Sequence, residues 1–294
     1  MPQAPAESDD GKPDRPAPTA YAAADFVLFH DAPPAHDGAA LTWWVRTDAM
    51  IAGYSQVSSP ARFTREAQPD EWMLLLPDAA GGATVTAGAE TVSVPGRSLV
   101  VVPPGPSRVD VPAGRTVRLF TARSTDLVSQ AVNAASYATP HPHVRPAIPL
   151  PAPPGGYRVR VYPLDTPPPA GSFGRIWRCT TLMVNYLNPS HGPRDPASLS
   201  PHAHDDFEQV TLALDGDHVH HLRWPWTANL ADWRPDVHEP CPAPSAAVIP
   251  ARAVHTTQAI GPGRHQLADL FCPPRHDFAA KGWVLNAADY PAEA

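Results

Sequence analysis

The sequence predicts an all-β protein folded as two barrels on one chain, and three observations carry that prediction. Forty prolines and eighteen glycines among 294 residues work against long helices, because proline lacks the amide donor and its ring clashes with the preceding turn. Short runs rich in Val, Leu, Thr and Trp recur between turn residues, which is the rhythm of a sandwich or barrel. The two halves can also be laid on one another at two places in the same order, as a duplicated domain requires. The length suffices for one large domain or two of about 150 residues.

Residues 1–22 are mostly Pro, Ala, Asp and Ser with little to bury, and predict a disordered tail. The first barrel is expected over 23–139. Its strand-like runs are DFVLFH (25–30), LTWWVRT (41–47), EWMLLL (71–76), ATVTA (83–87), TVSV (91–94), SLVVV (98–102), SRVDV (107–111) and TVRLFTA (116–122). Residues 140–156 hold seven prolines and read as a semi-rigid linker, in which His141 and His143 are linker residues. The second barrel is expected over 157–294, through YRVRVY (157–162), RIWRCTTLMVNYL (175–187), FEQVTLAL (207–214), HVHHLRW (218–224), AAVIP (246–250), AVHTTQAI (253–260) and HQLADLF (265–271). In the internal match Glu71 lies over Glu208, Pro103 over Pro250 and Arg108 over His255.

Residues 202–216, HAHDDFEQVTLALDG, carry the chemistry. Side chains alternate along an extended chain, so His202, His204 and Glu208 are expected on one face. Val210, Leu212 and Leu214 would continue that face as an apolar wall, with Thr211 and Ala213 pointing the other way. Imidazole and carboxylate suit first-row divalent ions. A single strand cannot surround an ion, so a further ligand is expected from another strand, and PARAVH (250–255) offers His255.

HAHDDFE has the HxH-x3-E spacing of the first cupin motif, and PARAVH resembles the second, PxGxxH, with Arg252 where glycine is usual. The sequence is similar to a bicupin, two double-stranded β-helix barrels on one chain. That resemblance implies one divalent metal ion held by His202, His204, Glu208 and His255, with Fe2+ favoured and Mn2+, Zn2+ or Ni2+ as alternatives. Arg65, Ala67 and Arg108 stand where the first barrel would need histidines, so that barrel is expected to be metal-free. Its residues Trp72, Leu74 and Leu76 are expected to face outward, onto the other barrel or a second subunit.

Further candidates follow from position. His220, and Gln266 or its neighbour Asp269 on the same late strand, are candidate catalytic groups. His218, Arg223 and Arg252 are candidate substrate contacts. Trp224 and Trp226 belong to an insertion over 224–244 that could pack or cover a pocket. The net charge of −7 without a basic stripe excludes a nucleic-acid binder. No apolar run is long enough to span a bilayer. Three widely spaced cysteines fit free thiols in a reducing, cytoplasmic compartment. No signal peptide is visible. The expectation is a monomer or homodimer acting on a small molecule. Three functions fit: an iron-type oxygenase acting on a small oxygenated or nitrogenous metabolite; a non-redox isomerase, lyase or decarboxylase; or a metal-containing sensor.

Overall fold

A computed structural model describes residues 21–291. Strands dominate and all their pairings are antiparallel. Two seven-stranded sheets form the centre of the molecule. One runs in the order Arg160–Pro163, Ser98–Val102, Trp72–Leu76, Gly114–Thr121, Met50–Val57, Ala40–Arg46 and Ala35–Asp37. The other runs Asp25–Leu28, Ser245–Ile249, Gln209–Asp215, Arg264–Phe271, Met183–Leu187 and Gly174–Arg178, with Ser190–His191 paired on Arg264–Phe271. A four-stranded sheet accompanies the first and a three-stranded sheet accompanies the second. The three-stranded sheet is Val237–Pro240, His218–Arg223 and Val254–Ala259.

Each half lends a strand to the other. Asp25–Leu28 pairs with Ser245–Ile249, placing Asp25 opposite Val248. Arg160–Pro163 pairs with Ser98–Val102, placing Arg160 opposite Val101. The segment expected to open the first barrel therefore edges the second sheet, and the reverse also holds. The exchange caps two sheet edges that would otherwise expose unpaired amides.

The two large sheets pack face to face through one apolar cluster that includes Trp43, Tyr54, Met73, Leu75, Trp177, Tyr186, Val210, Leu212, Leu214 and Leu270. Fully burying each such side chain contributes about 1.5–3 kcal/mol, which explains why both sheets carry an unbroken apolar outer face. Two expectations are corrected here. Val210, Leu212 and Leu214 face this contact, and Thr211 turns into the second sheet pair. Likewise Met73 and Leu75 face the contact, while Trp72, Leu74 and Leu76 fill the interior of the first pair with Phe63, Val85 and Phe120. An all-apolar strand such as WMLLL gives no alternation to read, so the sequence could not fix its phase.

The interior of the first pair is mostly apolar; its buried Arg118 has its guanidinium 3.7 Å from the Phe63 ring centre, is paired with Asp37 and reaches the Ser55 hydroxyl at 3.2 Å. The Pro-rich stretch after residue 139 has no strand, but it is docked: the His141 ring is bonded to Glu208, and Arg145 N–H donates to the Asp206 carbonyl. The expected tail falls outside the described residues, except for its last two. The carbonyls of Tyr21 and Ala22 accept from Arg234. Cys179, Cys241 and Cys272 are free and buried. Among the described residues, no helix is long and apolar enough to cross a membrane.

Candidate metal centre

His202, His204 and His255 converge at the second sheet pair, the first exposed and the other two buried, with one ring nitrogen of each lying within 4.8 Å of the others. Backbone pairing sets this up. His202 N–H donates to the His255 carbonyl at 3.1 Å and His255 N–H to the His202 carbonyl at 2.8 Å, so the HxH segment is clamped against the strand Val254–Ala259. The turn before His255 needs a left-handed residue, and Arg252 adopts φ +68° there, where the cupin motif usually has glycine. Arg252 N–H then donates to the His204 carbonyl.

Hydrogen bonds to carbonyl oxygens orient two of the rings. Nδ1 of His202 is 2.9 Å from the Ser200 carbonyl, and Nδ1 of His255 is 2.9 Å from the Ala253 carbonyl. Each ring thus donates from Nδ1 and turns a free Nε2 lone pair inward, the arrangement that fixes metal-ligating histidines. Nε2 of His255 is buried and lacks any partner, an orphan that an ion would satisfy. Burial pushes His204 down to about 3 and His255 down to about 4, so both rings are neutral bases at physiological pH, the form that binds metal.

Glu208 is not in this group. Its carboxylate faces the other half of the molecule, where Oε1 meets Tyr137 Oη at 3.0 Å and His141 Nδ1 at 2.6 Å, and Oε2 accepts the Asp48 N–H at 2.7 Å. The expected alternation fails because Asp205 and Asp206 form a bend, which shifts the phase by one residue before the strand Gln209–Asp215 begins. Gln209 takes the inward position: its Oε1 accepts from Nε2–H of His204 at 2.8 Å, which leaves Nδ1 as the lone pair of that ring. The Gln209 amide nitrogen donates to Thr211 Oγ1 at 2.7 Å and to Asp269 Oδ1 at 3.1 Å, and Thr211 donates to the same carboxylate oxygen at 2.8 Å. This network keeps the amide oxygen on the histidine side. The polar Gln209 and Thr211, alternating with apolar Val210 and Leu212, were the signal available in the sequence.

Asp48, His141 and Glu208 form a second group of close donors. These side chains already satisfy one another, so the group reads as a clasp between the halves. Its counterpart is Glu71, which accepts from Thr180 N–H at 3.0 Å and from Tyr290 Oη at 2.7 Å.

The remaining candidates scatter. Gln266 donates to the carbonyls of Leu187 and Leu267 and accepts from Arg264, so it is held away from the histidines. Asp269, its neighbour on the same strand, lines the cavity instead, and burial pushes its carboxyl up to about 6. His220 is buried with Nδ1 2.9 Å from Thr257 Oγ1, inside the same sheet pair. His218 is buried farther along that strand. Arg223 lies on the surface, paired with Asp236. The Arg252 side chain reaches the Asp205 carbonyl. Trp224 is buried, and Trp226 stacks on Trp233 at 4.3 Å on the surface. The insertion thus supplies the edge strand Val237–Pro240 of the three-stranded sheet, and its Trp226–Trp233 pair lies on the surface.

A cavity of about 660 Å³ adjoins the histidines. Phe173, Phe278 and Trp283 give it apolar walls, and Arg194, Arg275 and Lys281 give it positive charge. Arg275 is paired with Asp277. Arg194 donates to neutral partners, the carbonyls of Thr257 and Ser198 and the hydroxyl of Ser200.

No family model matches the chain. No curated protein matches its sequence. Solved structures do match its fold. Oxalate decarboxylase from Lactobacillus farciminis in complex with formate is 14% identical, with 87% of this chain and 89% of that one covered and a TM-score of 0.56. AerE from Microcystis aeruginosa is 9% identical, over 85% and 99% of the two chains, with a TM-score of 0.57. Bacillus subtilis oxalate decarboxylase, a protein with Mn(II) centres, is 12% identical over 88% and 80%, with a TM-score of 0.55. The antiparallel sheet pairs and these likenesses together give the chain the cupin fold.

Proposed function

We propose that the chain is a bicupin enzyme in which His202, His204 and His255 hold one divalent ion in the second barrel, with the amide oxygen of Gln209 orienting the His204 ring. The reading favoured is non-redox lyase, isomerase or decarboxylase chemistry on a small anionic metabolite. One observation carries it: Gln209 stands where the expected ligand was the carboxylate of Glu208. Three imidazoles are all neutral, so the ion's full double charge is directed at whatever else it binds. A carboxylate ligand would cancel part of that charge and favour a higher oxidation state. A divalent ion in such a site acts as a Lewis acid on a carboxylate or carbonyl oxygen.

The chain's own groups complete the reading. Asp269 and Thr211 keep the Gln209 oxygen turned to His204. Arg194 supplies a positive charge on the cavity wall for an anionic group, and the aromatic walls keep water away from it. Imidazole donors suit Zn2+ and Ni2+ as well as Fe2+, and Mn2+ more weakly. The likeness to oxalate decarboxylases agrees with decarboxylase chemistry; one of them is described with proton-coupled electron transfer, so the likeness does not favour a non-redox route. It gives the iron and oxygenase expectations no support.

The test compares protein loaded separately with Mn(II), Zn(II) and Fe(II), using a panel of small mono- and dicarboxylates as substrates. Substrate loss without net oxygen uptake is the expected outcome. Oxygen consumed in step with substrate, with Fe(II) alone, would replace this reading with the oxygenase.

A further inference from the structure

We propose a second metal-ion site in the second sheet pair, formed by His218 and His265 and distinct from the three-histidine centre. The two rings face one another with centres 5.2 Å apart and planes at 79°. The three imidazoles of the first centre show nearly the same spacing, at 5.1, 5.1 and 4.4 Å, and two of its ring pairs are edge-on at 65° and 66°. Two imidazoles sharing a tetrahedral ion at a bond length of about 2.0–2.1 Å place their ring centres about 5 Å apart. The pair therefore already has the separation that shared coordination produces.

Hydrogen bonding points the same way. Both residues are buried, at 1% and 3% exposure, and none of their four ring nitrogens meets a partner at good hydrogen-bond geometry, the Gly216 backbone giving His218 only a weak interaction. A buried polar atom left unpaired is destabilising, so two whole imidazoles without good partners call for an occupant. Burial pushes His218 down to about 4, leaving it a neutral base.

The backbone holds the rings in place. Gly216 has φ +92°, and a Cβ on it would sit 2.4 Å from Cδ2 of His265 and 2.7 Å from the Arg264 carbonyl, so only glycine lets the ring lie there. Asp217 supplies a nearby negative charge: its Oδ2 and His265 Nε2 flank one spot, 2.8 and 3.4 Å from where a Cβ on Gly261 would be. A cavity of about 320 Å³ adjoins both rings and is also lined by the exposed His191, so an ion could enter and keep water or a small ligand in its open positions.

The two sites are separate. His218 pairs with Ala259 and His255 pairs with Leu222 across the same two strands, an offset of four residues, or about 13 Å. With two imidazoles and no thiolate, the site suits Zn(II), Co(II), Ni(II) or Cu(II). The inference does not rest on the function proposed for the first centre.

The full-length protein is loaded with Zn(II), dialysed and assayed for bound metal. Wild type is expected to hold two ions per chain. The His218→Ala/His265→Ala variant and the His204→Ala/His255→Ala variant are each expected to hold one. Unchanged metal content in His218→Ala/His265→Ala overturns the proposal, as does a wild-type stoichiometry of one that only the His204 variant abolishes. Anomalous scattering at the zinc edge from wild-type crystals needs no variant to fold. A peak between residues 218 and 265 supports the site. A peak at the three-histidine centre alone shows that water fills the second position and overturns the proposal.

Discussion

Glu71 and Glu208 are counterparts: each is buried in its own half and spends its carboxylate on the other. Glu208 accepts from Tyr137 Oη and the Asp48 N–H, while Glu71 accepts from Tyr290 Oη and the Thr180 N–H. The surroundings repeat as well. Asn133 bonds both the N–H and the carbonyl of Arg46, as Asn286 does those of Arg178. The internal match of the sequence placed these glutamates over one another, and the structure gives them one shared task, clasping the halves.

Glu208→Ala is therefore expected to destabilise the fold while leaving metal content unchanged. Removing this buried acceptor strands a phenol, an amide and an imidazole, at a cost of about 3 kcal/mol. Chemical denaturation and metal analysis of the same preparation check both halves of the statement. Loss of metal without loss of stability would return Glu208 to the ligand set.

Gln209→Ala is expected to behave in the opposite way. It removes the oxygen that orients the His204 ring and should weaken binding of the first ion by about 100-fold, with a small change in stability. Gln209→Glu should restore binding, because a carboxylate oxygen can take the same place. Competition with a chromogenic chelator measures both.

The His141–Glu208 pair predicts a pH dependence. Burial alone would lower the His141 pKa, but the hydrogen bond and charge of Glu208 outweigh it and raise the value above the usual 6.5. A raised folded-state pKa means that the pair's contribution is complete below 6.5 and fades as pH climbs through the raised value. Denaturation midpoints between about pH 6 and 9 should fall in wild type and flatten in Glu208→Gln. An identical slope in both would remove the pair as the cause.

The buried histidines predict acid lability of the metal-free protein. His220 is held down to about 3 and His204 to about 3 by burial, below the usual 6.5. Depressed values of this kind give stability that is present above 6.5 and lost as pH falls, by about 2 kcal/mol per histidine between pH 6.5 and 5. Thermal scans of metal-free His220→Gln should show a shallower decline than wild type over that range.

Arg252→Gly is expected to be neutral or to stabilise by up to about 1 kcal/mol, because φ +68° strains an arginine and suits glycine. A large loss of stability would show that the Arg252 side chain, through its bond to the Asp205 carbonyl, matters more than its backbone.

The sequence by itself determined the all-β plan and offered the three histidines that the structure brings together. Turn residues, strand-forming runs and motif spacing are local properties, and they survive whatever the chain packs against. Tertiary structure alone decided which face of each strand turns inward. In Gln209–Asp215 the apolar residues 210, 212 and 214 suit a barrel interior or a sheet contact equally well, and only the presence of the other half makes the contact their place. The bend at Asp205 and Asp206 then exchanges Glu208 for Gln209 at the candidate centre. The strand exchange was equally hidden, since nothing in DFVL or RVYP names the sheet whose open edge will accept its hydrogen bonds.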